Sequence, residues 1–113
     1  TIGSYKRTGG ESWQTTTREG GHYETFDPDA EMIQVALNAA GAFDLDYTVV
    51  DIVPEGENYL VYEVSAFGGF TGLKKTRDID AAKLYGSYVV NRIRDSGSAS
   101  ATEKGNLKGQ KAQ

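Results

Sequence analysis

An α+β fold is predicted by three features of the sequence. An Asp-Pro-Asp helix start is followed by apolar residues at helical spacing, two β-rich runs flank a turn, and a second amphipathic stretch follows from Asp80. The order β-β-α-β-β-α implies an antiparallel sheet of about four strands with two helices on one face. Ser4 to Arg7 and Trp13 to Thr17 read as short strands around Thr8-Gly9-Gly10-Glu11, and Gly20-Gly21 ends the second. Asp27 then caps a helix over roughly 28–41: Pro28 fits the first helical position, and Asp29 and Glu31 place negative charge at the positive end of the helix dipole. Met32, Val35, Ala36, Ala39 and Ala40 recur along one face, and Gly41 is placed to end the helix. Tyr47 to Val53 and Tyr59 to Ser65, joined by Pro54-Glu55-Gly56-Glu57-Asn58, read as a hairpin. After the glycine-rich stretch 66–72, Asp78 or Asp80 caps a second helix over about 79–94, with Ala81, Leu84, Tyr85, Tyr88, Val89 and Ile93 on one face.

From Asp95 the residues are small and polar, and Leu107 is the one sizeable apolar group. Such a segment cannot offset its ordering entropy, so the fold is placed in 1–94 and a flexible tail in 95–113. The 113 residues fit one domain, and the absence of cysteine excludes disulfides, zinc–thiolate sites and thiol nucleophiles. Sixteen acidic and twelve basic residues give a net charge of −4, which offers no broad basic surface to a phosphate backbone; nucleic acid is not expected as a partner. No stretch reaches the roughly 18 apolar residues that a membrane helix needs, so no membrane partner is expected either. The chain opens on Thr1 rather than Met, which fits a piece of a longer protein.

The chemistry concentrates in the hairpin. Alternation puts Tyr47, Val49, Asp51 and Val53 on one face of the first strand, and Tyr59, Val61, Glu63 and Ser65 on one face of the second. A turn centred near Gly56 brings Asp51 opposite Glu63 or one pair away, where Cβ atoms lie about 4.5–5.5 Å apart and like charges repel. Either this face is simply solvated, or a cation, a shared proton or a basic side chain sits between the carboxylates. A hard divalent ion is the simplest resolution. Gly68, Gly69 and Gly72 follow directly and would let a ligand approach the backbone, or merely form a turn. His22, the one histidine, follows two glycines and reads as a solvated turn residue.

These residues carry a resemblance. Val50-Asp51-Ile52, Tyr62-Glu63-Val64-Ser65, Gly69-Phe70-Thr71-Gly72-Leu73-Lys74-Lys75-Thr76 and Asp78-Ile79-Asp80-Ala81-Ala82 resemble the C-terminal lobe of RimK-type ATP-grasp ligases. Those show a G-V-D-I/L strand, an E-V-N strand and a P-G-x-x-G-I-E-x-x-T-G-x-D-I-A loop. Lys6-Arg7 and Trp13 to Gly21 are similar to the family's K-R strand and its F-R-S-N-x-x-x-G-G segment. The likeness spans about residues 4–94. It implies a carboxylate–amine ligase that uses ATP and magnesium in the cytoplasm, with Asp51, Glu63 and Ser65 as metal ligands. Ser65 stands where the family has Asn, and Gln14 and Thr16 where it has Arg and Asn, which leaves Lys6 or Arg7 as the partner of the γ-phosphate. The glycines at 68, 69 and 72 would admit phosphate or the acyl acceptor. An N-terminal ATP-grasp lobe and small-molecule or peptide carboxylate and amine substrates would be the partners, and the chain alone would be inactive. The other reading from the residues is a stand-alone α+β binding module whose acidic face meets a basic partner or a calcium ion.

Overall fold

The computed structural model describes residues 1–9 and 20–110, with side chains through Ser98. Two compact units are present, Thr1–Ala81 and Ala82–Gln113. The first contains β1 (Tyr5–Thr8), β2 (His22–Thr25), α1 (Ala30–Ala42), β3 (Val49–Glu55), β4 (Asn58–Ser65) and α2 (Thr71–Arg77), and α3 runs from Ala81 to Gln110. The α+β class and the antiparallel pairing agree with the sequence reading. The hydrogen bonding differs from it: among the described residues the four strands form two separate pairs, β1 with β2 and β3 with β4, rather than one continuous sheet.

The predicted strand Trp13–Thr17 falls outside the described residues. Among the described residues β1 pairs with His22–Thr25, Tyr5 with Thr25 and Thr8 with His22. His22 is therefore a strand residue, with its Nε2 2.8 Å from Oε1 of Glu24. Four residues are too short to show a period, and the Gly-Gly just before them reads locally as a break.

The helix start is shifted by two residues. Asp29, not Asp27, caps α1, its carboxylate accepting from the Met32 amide at 2.8 Å. Asp27 is drawn away by Arg77, with which it forms an ion pair. Gly41 lies within the helix, and the chain turns at Phe43 and at Asp44, whose φ is +51°.

In the β3–β4 hairpin, Gly56 takes a φ of +62°, the left-handed conformation that glycine adopts at low cost. The register places Asp51 opposite Glu63 and then slips, pairing Ile52 with Val61 and leaving Tyr62 as the extra residue of a bulge. The bulge reverses the alternation. Val61 and Tyr59 join Val50, Ile52 and Val64 on the face that α1 covers, and the Tyr59 hydroxyl donates to the Asp29 carboxylate at 2.5 Å. Val53, Leu60 and Tyr62 are left exposed with Asp51 and Glu63 on the other face. The predicted grouping of Tyr59 and Val61 with Glu63 is thus corrected, because strict alternation cannot register an inserted residue.

α2 was not foreseen, its seven residues following a glycine-rich stretch that reads as loop. It packs on β1 and β2. It ends in a Schellman-type turn, the Ile79 amide donating to the Leu73 carbonyl and the Asp78 amide to that of Lys74. Asp78 takes a φ of +54° at the position of the glycine in the T-G-x-D-I-A pattern. Arg77 ties this end to both neighbouring strands: Nε donates to the Ser4 carbonyl at 2.7 Å, and Nη2 to the Phe26 carbonyl at 2.6 Å and to Asp27.

In the second unit, the helix expected to stop near residue 94 runs on to Gln110, so the predicted 94/95 boundary lies inside α3. Gly97, Gly105, Gly109 and three serines in 95–110 are weak helix formers, so this extension of the ladder has little intrinsic support. Ser96 and Ser98 donate to the carbonyls of Arg92 and Arg94, and Tyr85 stacks on Tyr88 with centroids 6.4 Å apart.

Candidate functional site

Asp51 stands directly opposite Glu63 near the middle of the β3–β4 pair, a pairing that the bulge at Tyr62 produces. Neither is fully buried, and Ser65 follows two residues along from Glu63, opposite Val49. Of the ways to relieve the repulsion, the structure shows a basic side chain: Nη2 of Arg7 donates to Oδ2 of Asp51 at 3.0 Å. Arg7 reaches it from β1, so the contact joins the two hairpins.

Alternation along β1 separates the two basic candidates. Arg7 shares its face with Tyr5, whereas Lys6 lies on the opposite face and pairs in register with Glu24. Tyr5 was not singled out by the sequence, although its i, i+2 relation to Arg7 is the signal that would have found it. Its ring meets Tyr23 edge-on, with centroids 5.2 Å apart. Its hydroxyl is pushed above the ordinary phenol value, first by burial, then by Tyr23 and by the negative charge of Asp51, with Arg7 opposing.

The three loop glycines divide by what surrounds them. A Cβ on Gly72, which is buried, would fall 2.2 Å from the Tyr5 ring, and one on Gly68 would fall 2.1 Å from a Val49 methyl. The close approach that these two permit is to the chain's own side chains. Gly69 has open space where a Cβ would stand. The loop is further held by Tyr47, whose hydroxyl donates to the Gly68 carbonyl at 3.3 Å and whose ring lies 5.4 Å from that of Phe70.

Among the described residues no cluster of three or more His, Cys, Asp or Glu side chains could hold a metal ion. That donor set is poor for calcium, which takes six to eight oxygens. It suits magnesium, which commonly binds through one or two carboxylates and completes its shell with phosphate and water. Asp51 and Glu63 supply two hard oxygen donors on one face, so the residues present fit that ion. Among the described residues no helix is long and apolar enough to cross a membrane.

Comparison with known proteins gives one family. The model described as RimK-like ATP-grasp domain matches residues 1–88. The chain is similar to tetrahydromethanopterin:alpha-L-glutamate ligase of Methanocaldococcus jannaschii, with 30% identity over 93 residues, covering 82% of this chain and 32% of that protein. It is also similar to a probable alpha-L-glutamate ligase of Sodalis glossinidius, with 30% identity over 86 residues, covering 76% of this chain and 29% of that protein. The chain thus spans about a third of the length of these relatives. No solved structure matches it significantly.

Proposed function

The chain belongs to the RimK-like ATP-grasp family, and from that premise we propose that it supplies the magnesium- and phosphate-binding hairpin of an ATP-dependent carboxylate–amine ligase. In this reading a substrate carboxylate oxygen attacks the γ-phosphorus of ATP and ADP leaves. An amine nitrogen then attacks the resulting acylphosphate, losing a proton as phosphate departs and the amide forms. Glutamate is the substrate that the relatives' names put forward. The cytoplasm, where ATP is plentiful, is the compartment this chemistry expects.

The observation that carries the reading is the direct opposition of Asp51 and Glu63, with Arg7 in contact on the same face. Magnesium, when bound, would neutralise charge on the phosphate oxygens. Asp51 and Glu63 would hold it, with the Ser65 hydroxyl as a weaker oxygen donor than the family's Asn. Arg7 would present its planar fork to the γ-phosphate; Lys6, on the other face, is the poorer candidate. Gly69 is the loop position open to phosphate or acyl acceptor, while Gly68 and Gly72 keep the loop seated on Val49 and Tyr5. A second lobe, completing the nucleotide clamp, would lie in the part of the longer relatives that this chain does not span. The exposed Val53, Leu60 and Tyr62 beside the carboxylates suit a face that another part of the ligase covers.

The test is Asp51→Asn in the full-length ligase, assayed for ATP-dependent glutamate ligation and ADP release. Turnover should fall about 100-fold or more, since several kcal/mol of charge stabilisation go with the metal, while the circular dichroism spectrum stays unchanged. Near-normal turnover by a folded variant would remove the hairpin from the chemistry. The 113-residue chain alone should hydrolyse no ATP.

A further inference from the structure

We propose that Arg7 is a placeholder cation: it occupies the Asp51 carboxylate when no metal is bound, so that magnesium and phosphate enter the site as a coupled pair. This rests on the reading of Asp51 and Glu63 as the metal-binding pair. Two opposed carboxylates repel, and Nη2 of Arg7, 3.0 Å from Oδ2 of Asp51, brings a compensating positive charge to one of them from the other hairpin. The same carboxylate oxygen cannot give its lone pairs fully to a guanidinium and to a small octahedral ion, and the guanidinium repels a divalent charge a few ångströms away. The side chains of Arg7 and Asp51 are 41% and 32% exposed, so the contact is of the kind that holds only a few-fold in equilibrium and exchanges readily.

A phosphate removes the conflict. It offers Arg7 a two-oxygen acceptor that matches its fork, and it offers magnesium the further oxygen ligands that two carboxylates do not supply. Arg7 then moves from carboxylate to phosphate while the metal takes the vacated oxygen. Each ligand therefore favours the other, and linkage makes the coupling reciprocal. The device keeps the metal from settling on the hairpin before a phosphate arrives.

The experiment is a titration of the 113-residue chain with magnesium alone, followed through the amide chemical shifts of residues 49–53 and 61–65. Arg7→Gln should bind about tenfold more tightly than the wild type, because repulsion between a unit and a divalent charge at a few ångströms is worth at least that factor even in water. Arg7→Lys, which keeps the charge, should bind no more tightly than the wild type. Inorganic phosphate should tighten magnesium binding to the wild type more than to Arg7→Gln, which keeps only the phosphate's own ligation of the metal. Asp51→Asn, alone or combined with Arg7→Gln, should abolish the hairpin shifts. If Arg7→Gln binds no more tightly while Asp51→Asn abolishes binding, the placeholder is wrong and the metal-binding pair stands. Equal tightening of Arg7→Lys and Arg7→Gln, or an equal phosphate effect on wild type and Arg7→Gln, also overturns it. Tight binding by the double variant would overturn both the placeholder and the hairpin reading.

Discussion

The two hairpins that meet at Arg7 and Asp51 are specified in different ways. β3–β4 is local: seven- and eight-residue strands join at a tight turn around Gly56, and the register follows from that turn and one bulge. β1–β2 consists of two four-residue strands with residues 9–21 between them, and such short pairing has little stability of its own. Packing supplies what local sequence does not. The Tyr5 ring lies on Gly72 of α2, and at one end of the pair Arg77 binds the carbonyls of Ser4 and Phe26, where Ser4 Oγ also donates to the Phe26 carbonyl at 2.7 Å. A site built from both hairpins is therefore only as well placed as the more dependent one.

That contrast can be broken most strongly at the glycines. Gly72→Ala should cost about 3 kcal/mol in urea unfolding, because the new methyl enters the space of a ring that cannot yield by rotation alone. Gly68→Ala should cost about as much through Val49, but with its chemical-shift changes in β3 rather than β1. Gly69→Ala, which meets nothing within 4 Å, serves as the control and should be near neutral.

Next in size is Arg77→Met, which removes three hydrogen bonds from a charged donor and should cost about 2 kcal/mol. Hydrogen exchange should show the asymmetry directly: amides of β1 and β2 lose protection while those of β3 and β4 keep theirs. Equal loss in both hairpins would mean that Arg77 supports the lobe as a whole rather than the dependent pair.

A smaller effect belongs to α1, the helix that backs β3–β4. The Met32 amide and then the Tyr59 hydroxyl hold the Asp29 carboxyl below its ordinary value. A carboxyl whose folded value is lowered contributes stability that is present above its unfolded value and is lost as pH falls through the folded one. Acidification through and below the ordinary aspartate range should therefore loosen the first turn of α1, and Asp29→Asn should reduce that pH dependence. An unchanged acid limb in Asp29→Asn would remove the cap from this account.

The smallest effect is expected at the end of α3. Residues 95–110 are helical but carry no apolar stripe, so we propose that they fray, as the composition suggests for a flexible tail. Their amides should exchange much faster than those of 81–94, and deletion of 95–113 should leave the Tm of the remainder unchanged. A drop of several degrees would show that the segment is structural.

Features that depend on near neighbours are legible in the chain. The α1 span follows from the spacing of Met32, Val35, Ala36 and Ala39, and the β3–β4 hairpin from its β-branched runs and glycine turn. The opposition of Asp51 and Glu63 needs the bulge as well as the turn: counted back from the Glu55–Asn58 pair, Asp51 would face Tyr62, and the extra residue brings Glu63 there instead. The described partner of β1, the cap of α1, the bulge at Tyr62 and the helix after Phe70 emerge in the folded chain. Each turns on contacts between residues distant in the chain. Asp27 reads as the cap until Arg77, 50 residues on, takes its carboxylate. Gly68 and Gly72 read as ligand-facing until Val49 and Tyr5 are seen against them. Arg7 and Lys6 are equivalent as neighbours in the chain, and they part because a strand sends successive side chains to opposite faces, only one of which meets Asp51.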